Sequence, residues 1–587
     1  MGYYLNSTQV LSLYKSEVDS PYFVDKSLLL KELFPFVKAG NKHICITRPR
    51  RFGKSVMAAM IGAFFSKDID SSCIFDSLKI AKVSQESSTE SAVVDGRFDY
   101  REYMNQYNVI YINFIKSVNT SKSYDEFIEN IEKFIIRDLK KSFPNVEYWK
   151  GLSLVDFLGM VYEDTGEKFI LVFDEWDCIF HKAYATNEDK KSFINWLAAM
   201  TKDTGYVALS YMTGVLPIAI SHQSKIASDD TPESGDSVVD RLGESTQASF
   251  PSSLSYSSGS TINNFQEYTM ATDDLFSEYF GFTEAEVDEL YARYQKRNIN
   301  CEISREDLKY WYDGYHTPSS ERMYNPRSVV EALTRNRIRS YWTATGTYGE
   351  ISTYIMNDRA DVKKDVALMV AGEAVPARVE EYSATSMNLT TRNEILSAMV
   401  VYGFLNYEDG KVHIPNRELM DEFAKTIRER ESLGYINRLA VESDRMLRAT
   451  LKGDTKTMEE ILQFAYDTET PLLDYNDETE LTAIVNLVYL AARDSYYVER
   501  ENKAGEGYTD FIFYPERAGD DGIILELKVD DTPETAIAQI KDRNYILKFR
   551  GKMAEKKRHT GRVLLVGIGY DKKKKDHHCR IEVVQKA

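Results

Sequence analysis

Ile44-Cys-Ile-Thr-Arg-Pro-Arg-Arg-Phe-Gly-Lys-Ser55 is the segment from which the N-terminal architecture can be deduced. His43 to Thr47 predicts a short buried strand, and Val56 to Phe65 predicts the helix that follows it. In a strand–loop–helix unit, backbone N–H groups at the helix start point outward together and attract phosphate. The segment therefore predicts the phosphate-binding loop of a P-loop NTPase core. The usual signature has a glycine five residues before Gly53, whereas Arg48 stands there, so the loop must accommodate a side chain.

The residues of this loop have expected roles at a bound ATP. Gly53 allows the tight turn, Lys54 is expected to reach the β- and γ-phosphates, and the Ser55 hydroxyl is expected to ligate Mg²⁺. Arg50 and Arg51 can add phosphate contacts. The loop therefore predicts ATP and Mg²⁺ as cofactors.

A second apolar strand, Phe169-Ile-Leu-Val-Phe-Asp174-Glu175, ends in two carboxylates about 120 residues after the loop. We expect Asp174 to join the Mg²⁺ shell and Glu175 to polarise the attacking water. A further strand is predicted over Tyr206 to Met212. Thr213 at its end could sense the γ-phosphate or belong to a simple strand-end turn, and the sequence leaves both open.

The first part of the chain alternates strand and helix patterns, which predicts a mainly parallel α/β sheet with another strand over Tyr107 to Phe114. We assign residues 1–270 to this P-loop domain. A stretch at about 222–258 is dense in Ser, Asp, Thr and Gly, which predicts a long exposed loop or a disordered insertion. No pattern indicates the role of this insertion.

The rest of the chain divides into two further regions. Residues 271–473 are predicted to be helical, with helix-compatible segments such as Glu284 to Arg297 and Arg417 to Arg430. Within them, Ile395 to Ile414 predicts a small winged-helix-like element. Residues 474–587 return to a compact α/β pattern, for which we expect a restriction-endonuclease-like fold.

This last region carries a second set of candidate metal ligands. Asp510 precedes an apolar strand, and Glu526 and Lys528 lie two residues apart on the next one, so their side chains share a face. A hairpin would place Asp510 beside Glu526, and the two carboxylates could hold Mg²⁺. Lys528 could then orient water or stabilise developing negative charge. This Asp–turn–Glu-x-Lys spacing is the PD-(D/E)XK pattern of metal-dependent nucleases.

Other polar residues of the C-terminal region are less decisive. Glu478, at the start of a predicted helix, could add a third carboxylate to the metal, and Glu480 competes with it for that role. His577 and His578 suggest either a metal-binding pair or a solvated tail. The basic run from Lys572 to Lys575 is typical of a solvated surface and is also compatible with a local nucleic-acid groove.

Several motifs along the chain point to one family. They are Tyr22-Phe23-Val24-Asp25-Lys26, Arg48-Pro-Arg-Arg-Phe-Gly-Lys-Ser55, Phe173-Asp-Glu-Trp-Asp177, Thr213-Gly-Val-Leu-Pro217, Asn263-Asn-Phe-Gln-Glu-Tyr268, Trp311-Tyr-Asp-Gly-Tyr315, Tyr324-Asn-Pro326 and Tyr341-Trp-Thr-Ala-Thr-Gly346. Together they resemble the family of predicted AAA-ATPases, whose members typically carry a C-terminal PD-(D/E)XK nuclease-superfamily domain. The resemblance covers nearly the whole chain, and only the polar insertion departs from it. It also implies that Gln539 is the additional polar residue of the nuclease site.

The composition of the chain limits the classes of function and the cellular location that we expect. The net charge of −18 argues against a protein that coats nucleic acid by bulk charge. The five cysteines are scattered and form no CxxC, which predicts neither a disulfide framework nor a zinc site and fits a cytoplasmic location. No apolar run is long enough to span a membrane and no signal-peptide pattern is present, so no membrane partner is expected.

The sequence thus predicts an ATPase coupled to Mg²⁺-dependent cleavage of nucleic acid, with DNA as the expected substrate. One rival is a nucleotide-dependent switch or scaffold that binds nucleic acid or a protein partner without cutting. A second rival is a translocating motor. ATPases of this type often complete their site with an arginine from a neighbouring subunit, which would make the chain a homo-oligomer. The sequence does not choose among the candidates, which are Arg322, Arg327, Arg335 and Arg337.

Overall fold

The computed structural model describes most of the chain. The described residues are 2–39, 42–86, 99–218, 265–270, 273–319, 321–342, 360–379, 389, 391–466, 478–499, 511–556 and 559–584. The predicted insertion at about 222–258 and the candidate ligand Asp510 lie outside them.

The N-terminal region is built on a five-stranded sheet in which every described pair of neighbours is parallel. Its strands are β1 (His43–Thr47), β2 (Asn108–Asn113), β3 (Phe169–Asp174), β4 (Val207–Gly214) and β5 (Gln266–Thr269), in the spatial order β2-β3-β4-β1-β5. The four strands predicted from apolar runs are β1 to β4, and their bounds agree with the prediction to within two residues. The parallel α/β architecture is therefore confirmed.

Helices cover this sheet, so β1, β3 and β4 are buried along their whole length. They are α1 (Thr8–Val18), α2 (Leu29–Lys38), α3 (Lys54–Phe65), α4 (Ser72–Phe75), α5 (Lys79–Glu86), α6 (Phe114–Thr120), α7 (Tyr124–Ser142), α8 (Leu154–Thr165) and α9 (Asn187–Thr201). Since the strands are parallel, the loops after β1, β2 and β3 meet at one edge of the sheet.

The middle region is mainly helical. Its helices are α10 (Glu284–Arg297), α11 (Arg305–Tyr312), α12 (Pro326–Arg335), α13 (Ala360–Val370), α14 (Arg392–Val401), α15 (Arg417–Glu429), α16 (Tyr435–Val441), α17 (Ser443–Lys452) and α18 (Thr455–Tyr466). A small sheet joins β6 (Phe282–Thr283), β8 (Arg322–Tyr324) and β7 (Tyr315–His316) in that order. The capping box in which Thr283 and Glu286 exchange hydrogen bonds explains why α10 begins where the charge pattern predicts it.

The segment predicted to resemble a winged helix contains α14 and an antiparallel hairpin. The hairpin strands are β10 (Asn406–Glu408) and β11 (Lys411–His413), and β9 (Val375–Pro376) pairs with the outer side of β11. Asp409 and Gly410 both have positive φ angles, of 49° and 75°. This two-residue turn is the type that matches the twist of a hairpin.

The C-terminal region forms a second five-stranded sheet. Its strands, in spatial order, are β12 (Tyr496–Glu499), β13 (Phe511–Pro515), β14 (Gly522–Val529), β15 (Val563–Asp571) and β16 (Asp576–Val584). Only the β14–β15 pair is parallel among the described pairs. The helices of this region are α19 (Glu478–Val488), α20 (Pro533–Asp542) and α21 (Tyr545–Lys556).

Packing does not stop at the predicted boundary between residues 473 and 474. Helix α18 packs against β16, where the Glu459 carboxylate accepts a hydrogen bond from the Cys579 backbone N–H at 2.8 Å. The reason is apolar burial, because Met458, Ile461 and Leu462 of α18 belong to the same hydrophobic core as the C-terminal sheet. Within the described ranges, no helix combines the length and apolar composition needed to cross a bilayer.

Candidate functional site

The loop after β1 turns sharply into α3. Gly53 has a φ angle of +88°, which lies in the left-handed region that favours glycine, and α3 begins at the next residue. Arg51 also has a positive φ of 71°. A non-glycine residue in this conformation carries a small backbone strain, of the kind that clusters at ligand sites.

Lys54 is buried beneath the loop. Its Nζ donates to the carbonyl oxygens of Arg48 and Pro49, at 3.0 Å each. Burial lowers the pKa of Lys54, and the nearby carboxylates of Glu175 and Asp177 oppose that shift. The ammonium is therefore held by loop carbonyls that a phosphate oxygen could replace.

Asp174 lies at the end of β3 and contacts three polar side chains. Its carboxylate accepts from the Ser55 hydroxyl at 3.1 Å, from the Asn113 amide at 2.7 Å and from the Tyr111 hydroxyl at 3.3 Å. Burial, assisted by the neighbouring charge of Glu175, raises the pKa of Asp174 to about 7. Ser55 and Asp174 thus bring together the two hard oxygen donors that the sequence assigned to Mg²⁺.

Glu175 follows directly, in a left-handed conformation with a φ angle of 55°. This backbone turn separates its carboxylate from that of Asp174, and Glu175 lines two adjacent cavities. Burial raises the pKa of Glu175, while the charge of Lys54 lowers it. A carboxylate held in this way is suited to accept a proton from water.

A cavity of about 370 Å³ opens next to the loop. Its walls come from the loop, from the segment before α2 and from the middle region. Among the lining residues are Tyr22, Phe23, Lys26, Arg51, Gly53, Lys54, Ser55, Glu175, Arg327 and Glu331. Of the four candidate arginines, Arg327 is the one that the structure places in this wall, where it pairs with Glu331 at 3.1 Å.

The arginines of the loop face in different directions. Arg48 is fully buried and donates to the carbonyl oxygens of Thr47 and Tyr268, at 2.8 Å each, so it ties β1 to β5. This explains how the loop accommodates the side chain. Arg50 lies over the ring of Tyr402, 5.6 Å from its centroid, and borders the second cavity lined by Glu175.

Two side chains of this region make contacts that the sequence did not predict. Thr213 is fully buried, and its hydroxyl donates to the Ile46 carbonyl at 3.0 Å, so it bridges β4 to β1 and does not face the cavity. Arg51 donates to the Tyr341 carbonyl at 2.5 Å, which directs its guanidinium toward the middle region as well as the cavity.

The C-terminal sheet gathers a second polar cluster. Lys528 and Glu526 lie on the same face of β14, with Nζ and Oε1 3.1 Å apart, and Gln539 of α20 donates to the same oxygen. Glu526 is almost fully buried. The hairpin pairs Phe511 with Leu525. Glu478 is the first residue of α19, and its side chain, like the whole of Asp510, lies outside the described part of the chain.

Glycines on β15 explain how Gln539 reaches Glu526. Gly567 is paired with Glu526, and a Cβ added to it would lie 2.2 Å from the Pro533 carbonyl oxygen. An added Cβ at Gly569 would lie 2.7 Å from the Asp531 carbonyl oxygen. The start of α20 therefore packs directly on the backbone of β15, which brings the helix close enough for Gln539 to contact the carboxylate.

The two late histidines do not form a metal pair. They alternate along β16, so His577 is buried, with its ring 4.7 Å from that of Tyr570, whereas His578 is exposed and lies 3.5 Å from Asp576. The surface lysines also have partners, since Lys548 and Lys552 both pair with Glu499 and Lys574 pairs with Asp571.

Sequence reasoning missed the partners of Asp174. Tyr111 and Asn113 lie two residues apart on β2, whose register pairs Asn113 with Asp174. A polar residue at the end of an apolar strand was a usable signal, because parallel neighbours end at the same sheet edge. Arg327 was one of four candidate arginines, and nothing in the sequence singled it out, since an arginine four residues before a glutamate on a helix is an ordinary surface pair.

Two parts of the chain match known protein families. Residues 13–223 match the family model described as "Predicted AAA-ATPase", and residues 478–575 match that of the PD-(D/E)XK nuclease superfamily. An uncharacterized protein in the vnfD 5' region of Azotobacter chroococcum mcd 1 is 21% identical over 335 residues, which are 56% of this chain and 52% of that protein. The chain thus spans about half the length of this curated relative.

One solved structure shows a weak likeness. The Walker-type ATPase of Pyrococcus abyssi aligns with 68% of this chain and 94% of its own, at 13% identity and a TM-score of 0.32.

Proposed function

We propose that this chain, which joins a domain of the predicted AAA-ATPase family to a domain of the PD-(D/E)XK nuclease superfamily, is an Mg²⁺-dependent ATPase that controls metal-dependent cleavage of nucleic acid. DNA is the substrate we expect, and the cytoplasm remains the predicted location. The proposal rests above all on the contact of Glu526 with both Lys528 and Gln539 on one face of the C-terminal sheet.

The residues of the N-terminal site fit ATP with Mg²⁺. Mg²⁺ would be held by Ser55 and Asp174 and would neutralise phosphate charge. The hydrogen bonds from Asn113 and Tyr111 fix the Asp174 carboxylate in place. Lys54 adds a positive charge where the phosphates would lie, and Glu175 can orient water and accept its proton.

The residues of the C-terminal site fit a divalent metal and a phosphodiester. Glu526 would hold the ion together with Asp510 and Glu478, and the ion would activate water and polarise the phosphate. Gln539 fixes one carboxylate oxygen of Glu526. Lys528 carries its ammonium beside that carboxylate, where it can stabilise negative charge developing on the phosphate.

Helix α15 contacts both a segment bound to the N-terminal loop and the C-terminal region. On one side, Glu418 accepts from the Tyr341 and Trp342 backbone N–H groups, at 2.5 and 2.6 Å, and the Tyr341 carbonyl accepts from Arg51 of the loop. On the other side, Arg417 donates to the Arg493 carbonyl at 2.5 Å, just before β12. A phosphate that drew Arg51 away from Tyr341 would therefore disturb the helix that contacts the C-terminal domain.

The test is cleavage by the purified full chain, with linear DNA, circular DNA and RNA, in Mg²⁺ with and without ATP. We expect Glu526→Ala to abolish cleavage and to leave ATP hydrolysis intact, because it removes only the C-terminal ligand. Lys54→Ala should lower ATP hydrolysis by at least about 100-fold, a loss of about 2.7 kcal/mol of transition-state stabilisation. If ATP gates cleavage, Lys54→Ala should lower the cleavage rate as well.

Glu516→Ala, at an exposed glutamate of the same domain, is the matched control and should change neither activity. Cleavage that survives Glu526→Ala would contradict the assignment of this site. Absence of cleavage on every substrate and metal would instead identify the chain as a nucleotide-dependent switch that binds without cutting.

A further inference from the structure

The middle region contains a cluster of metal-ligand side chains that neither proposed activity uses. His316 of β7 and Glu408 and His413 of the β10–β11 hairpin each offer a ligand atom, and these atoms all lie within 4.8 Å of one another. All three residues are partly buried. They come from two separate segments, so the fold, and not local sequence, brings them together.

The orientation of Asn406 indicates which ring nitrogens face the centre of this cluster. Its carbonyl oxygen accepts the His316 backbone N–H at 2.9 Å, which fixes the amide orientation. Its Nδ2 then lies 3.1 Å from His316 Nδ1 and 3.5 Å from His413 Nε2. An amide nitrogen only donates, so both ring nitrogens present lone pairs to the same small volume.

Two further properties favour a cation at this place, one of charge and one of distance. The Glu408 carboxylate lies 3.7 Å from His316 Nδ1 and supplies negative charge. Ligands about 2.0–2.2 Å from a tetrahedral ion lie about 3.3–3.6 Å apart, so small side-chain movements would close the site.

We propose that His316, Glu408 and His413 bind a transition-metal dication, with zinc as the best match. Two imidazoles and one carboxylate suit Zn²⁺, whereas Mg²⁺ prefers an all-oxygen shell. The ion would displace the Asn406 amide nitrogen from between the rings and leave a fourth position for water. It would fasten the hairpin of the winged-helix-like element to β7, beside the Tyr315 hydroxyl that donates to the Gly403 carbonyl at 2.7 Å.

The experiment measures zinc bound to the full chain. Chelator-stripped protein is dialysed against Zn²⁺ in a large excess of Mg²⁺, which keeps the oxygen-rich sites filled, and bound zinc is counted by elemental analysis. We expect one more equivalent for the unchanged protein than for His413→Gln or Glu408→Gln, and at least a tenfold loss of affinity in each variant. Co²⁺ in place of Zn²⁺ should give the visible absorption of a tetrahedral site, which both variants lose.

His578→Gln is the matched control, because this exposed histidine beside Asp576 lies on the C-terminal sheet, and it should retain the full zinc count. Glu408 is partly exposed at the end of β10, so Glu408→Gln is the variant best suited to fold normally, and circular dichroism checks this. Equal zinc counts in the unchanged protein, His413→Gln and Glu408→Gln would overturn the proposal. So would zinc that is lost equally in His578→Gln.

Discussion

Asp174 shows how opposing forces act on one carboxyl group. Desolvation at the sheet edge favours its neutral form, while the hydrogen bonds from Ser55 and Asn113 favour the charged form. Desolvation prevails, so the pKa rises to about 7. A bound cation would reverse this balance, because it interacts with the ionised carboxylate alone.

This balance predicts a pH-dependent stability. An unfolded aspartate releases its proton near pH 4, whereas the folded Asp174 keeps it until about pH 7. The contribution of Asp174 to the free energy of unfolding is therefore fully present below about pH 4. It is lost as the pH rises through about 7, by up to about 1.4 kcal/mol for each pH unit. Asp174→Asn removes the titration and can still satisfy the Ser55 and Asn113 contacts.

We therefore expect Asp174→Asn to become more stable relative to the unchanged protein as the pH rises from 5 to 8. Urea denaturation in EDTA measures this difference, and the exposed Asp164→Asn serves as the control. Stability curves that run parallel for Asp174→Asn and the unchanged protein would show that the carboxyl group titrates normally.

At the scale of elements, the contact between α20 and β15 positions the C-terminal site. Helices rarely pack directly on strand backbone, because the side chains of a strand project from both faces of the sheet. Gly567 and Gly569 remove those side chains on one face. The contact between Gln539 and Glu526 depends on this close packing.

Gly567→Ala tests that dependence. The new methyl group would lie 2.2 Å from the Pro533 carbonyl oxygen, so α20 must shift. We expect cleavage to fall at least tenfold, the C-terminal domain to lose about 1–3 kcal/mol of stability, and ATP hydrolysis to remain. Gly551→Ala is the control, since among the described residues nothing lies within 4 Å of its added Cβ. Full cleavage by Gly567→Ala would contradict this role of the packing.

The sequence predicted strands and turns well where a local pattern alone determines the structure. Apolar runs between polar segments fix β1 to β4, and the Asp409-Gly410 turn fixes the hairpin that follows α14. It left the role of Thr213 open, because a hydroxyl that bonds the neighbouring strand has the same local sequence as one that faces a ligand. Nor did the charged face of α15 reveal that Glu418 is buried, since helix periodicity does not show what packs above an acidic residue.

At the scale of the whole molecule, α15 lies between the ATP site and the C-terminal domain. Glu418 is buried, and burial raises its pKa to about 7 even though Ser328 and the Tyr341 and Trp342 N–H groups donate to it. Arg417, one residue earlier, contacts the other domain. Adjacent residues on one helix thus contact the Tyr341–Trp342 segment, which binds Arg51 of the loop, and the C-terminal domain.

Glu418→Ala is expected to uncouple those activities. Without the acceptor, Tyr341 and Trp342 lose their fixed position opposite Arg51, so ATP should no longer change the rate of DNA cleavage while both separate activities persist. Glu418→Gln keeps an oxygen for both N–H groups and should keep the response. The measurement is the ratio of the cleavage rates with and without ATP, determined for each variant. Glu429→Ala, at an exposed site of α15, is the control. An unaltered ratio in Glu418→Ala would rule out this route.

The packing of α18 against β16 has a practical consequence for the expression of separate fragments of the protein. A fragment that begins at residue 474 would expose the apolar sheet surface that Met458, Ile461 and Leu462 normally cover, and such surfaces invite aggregation. A fragment that begins near Tyr435 keeps this cover and is the better candidate for separate expression.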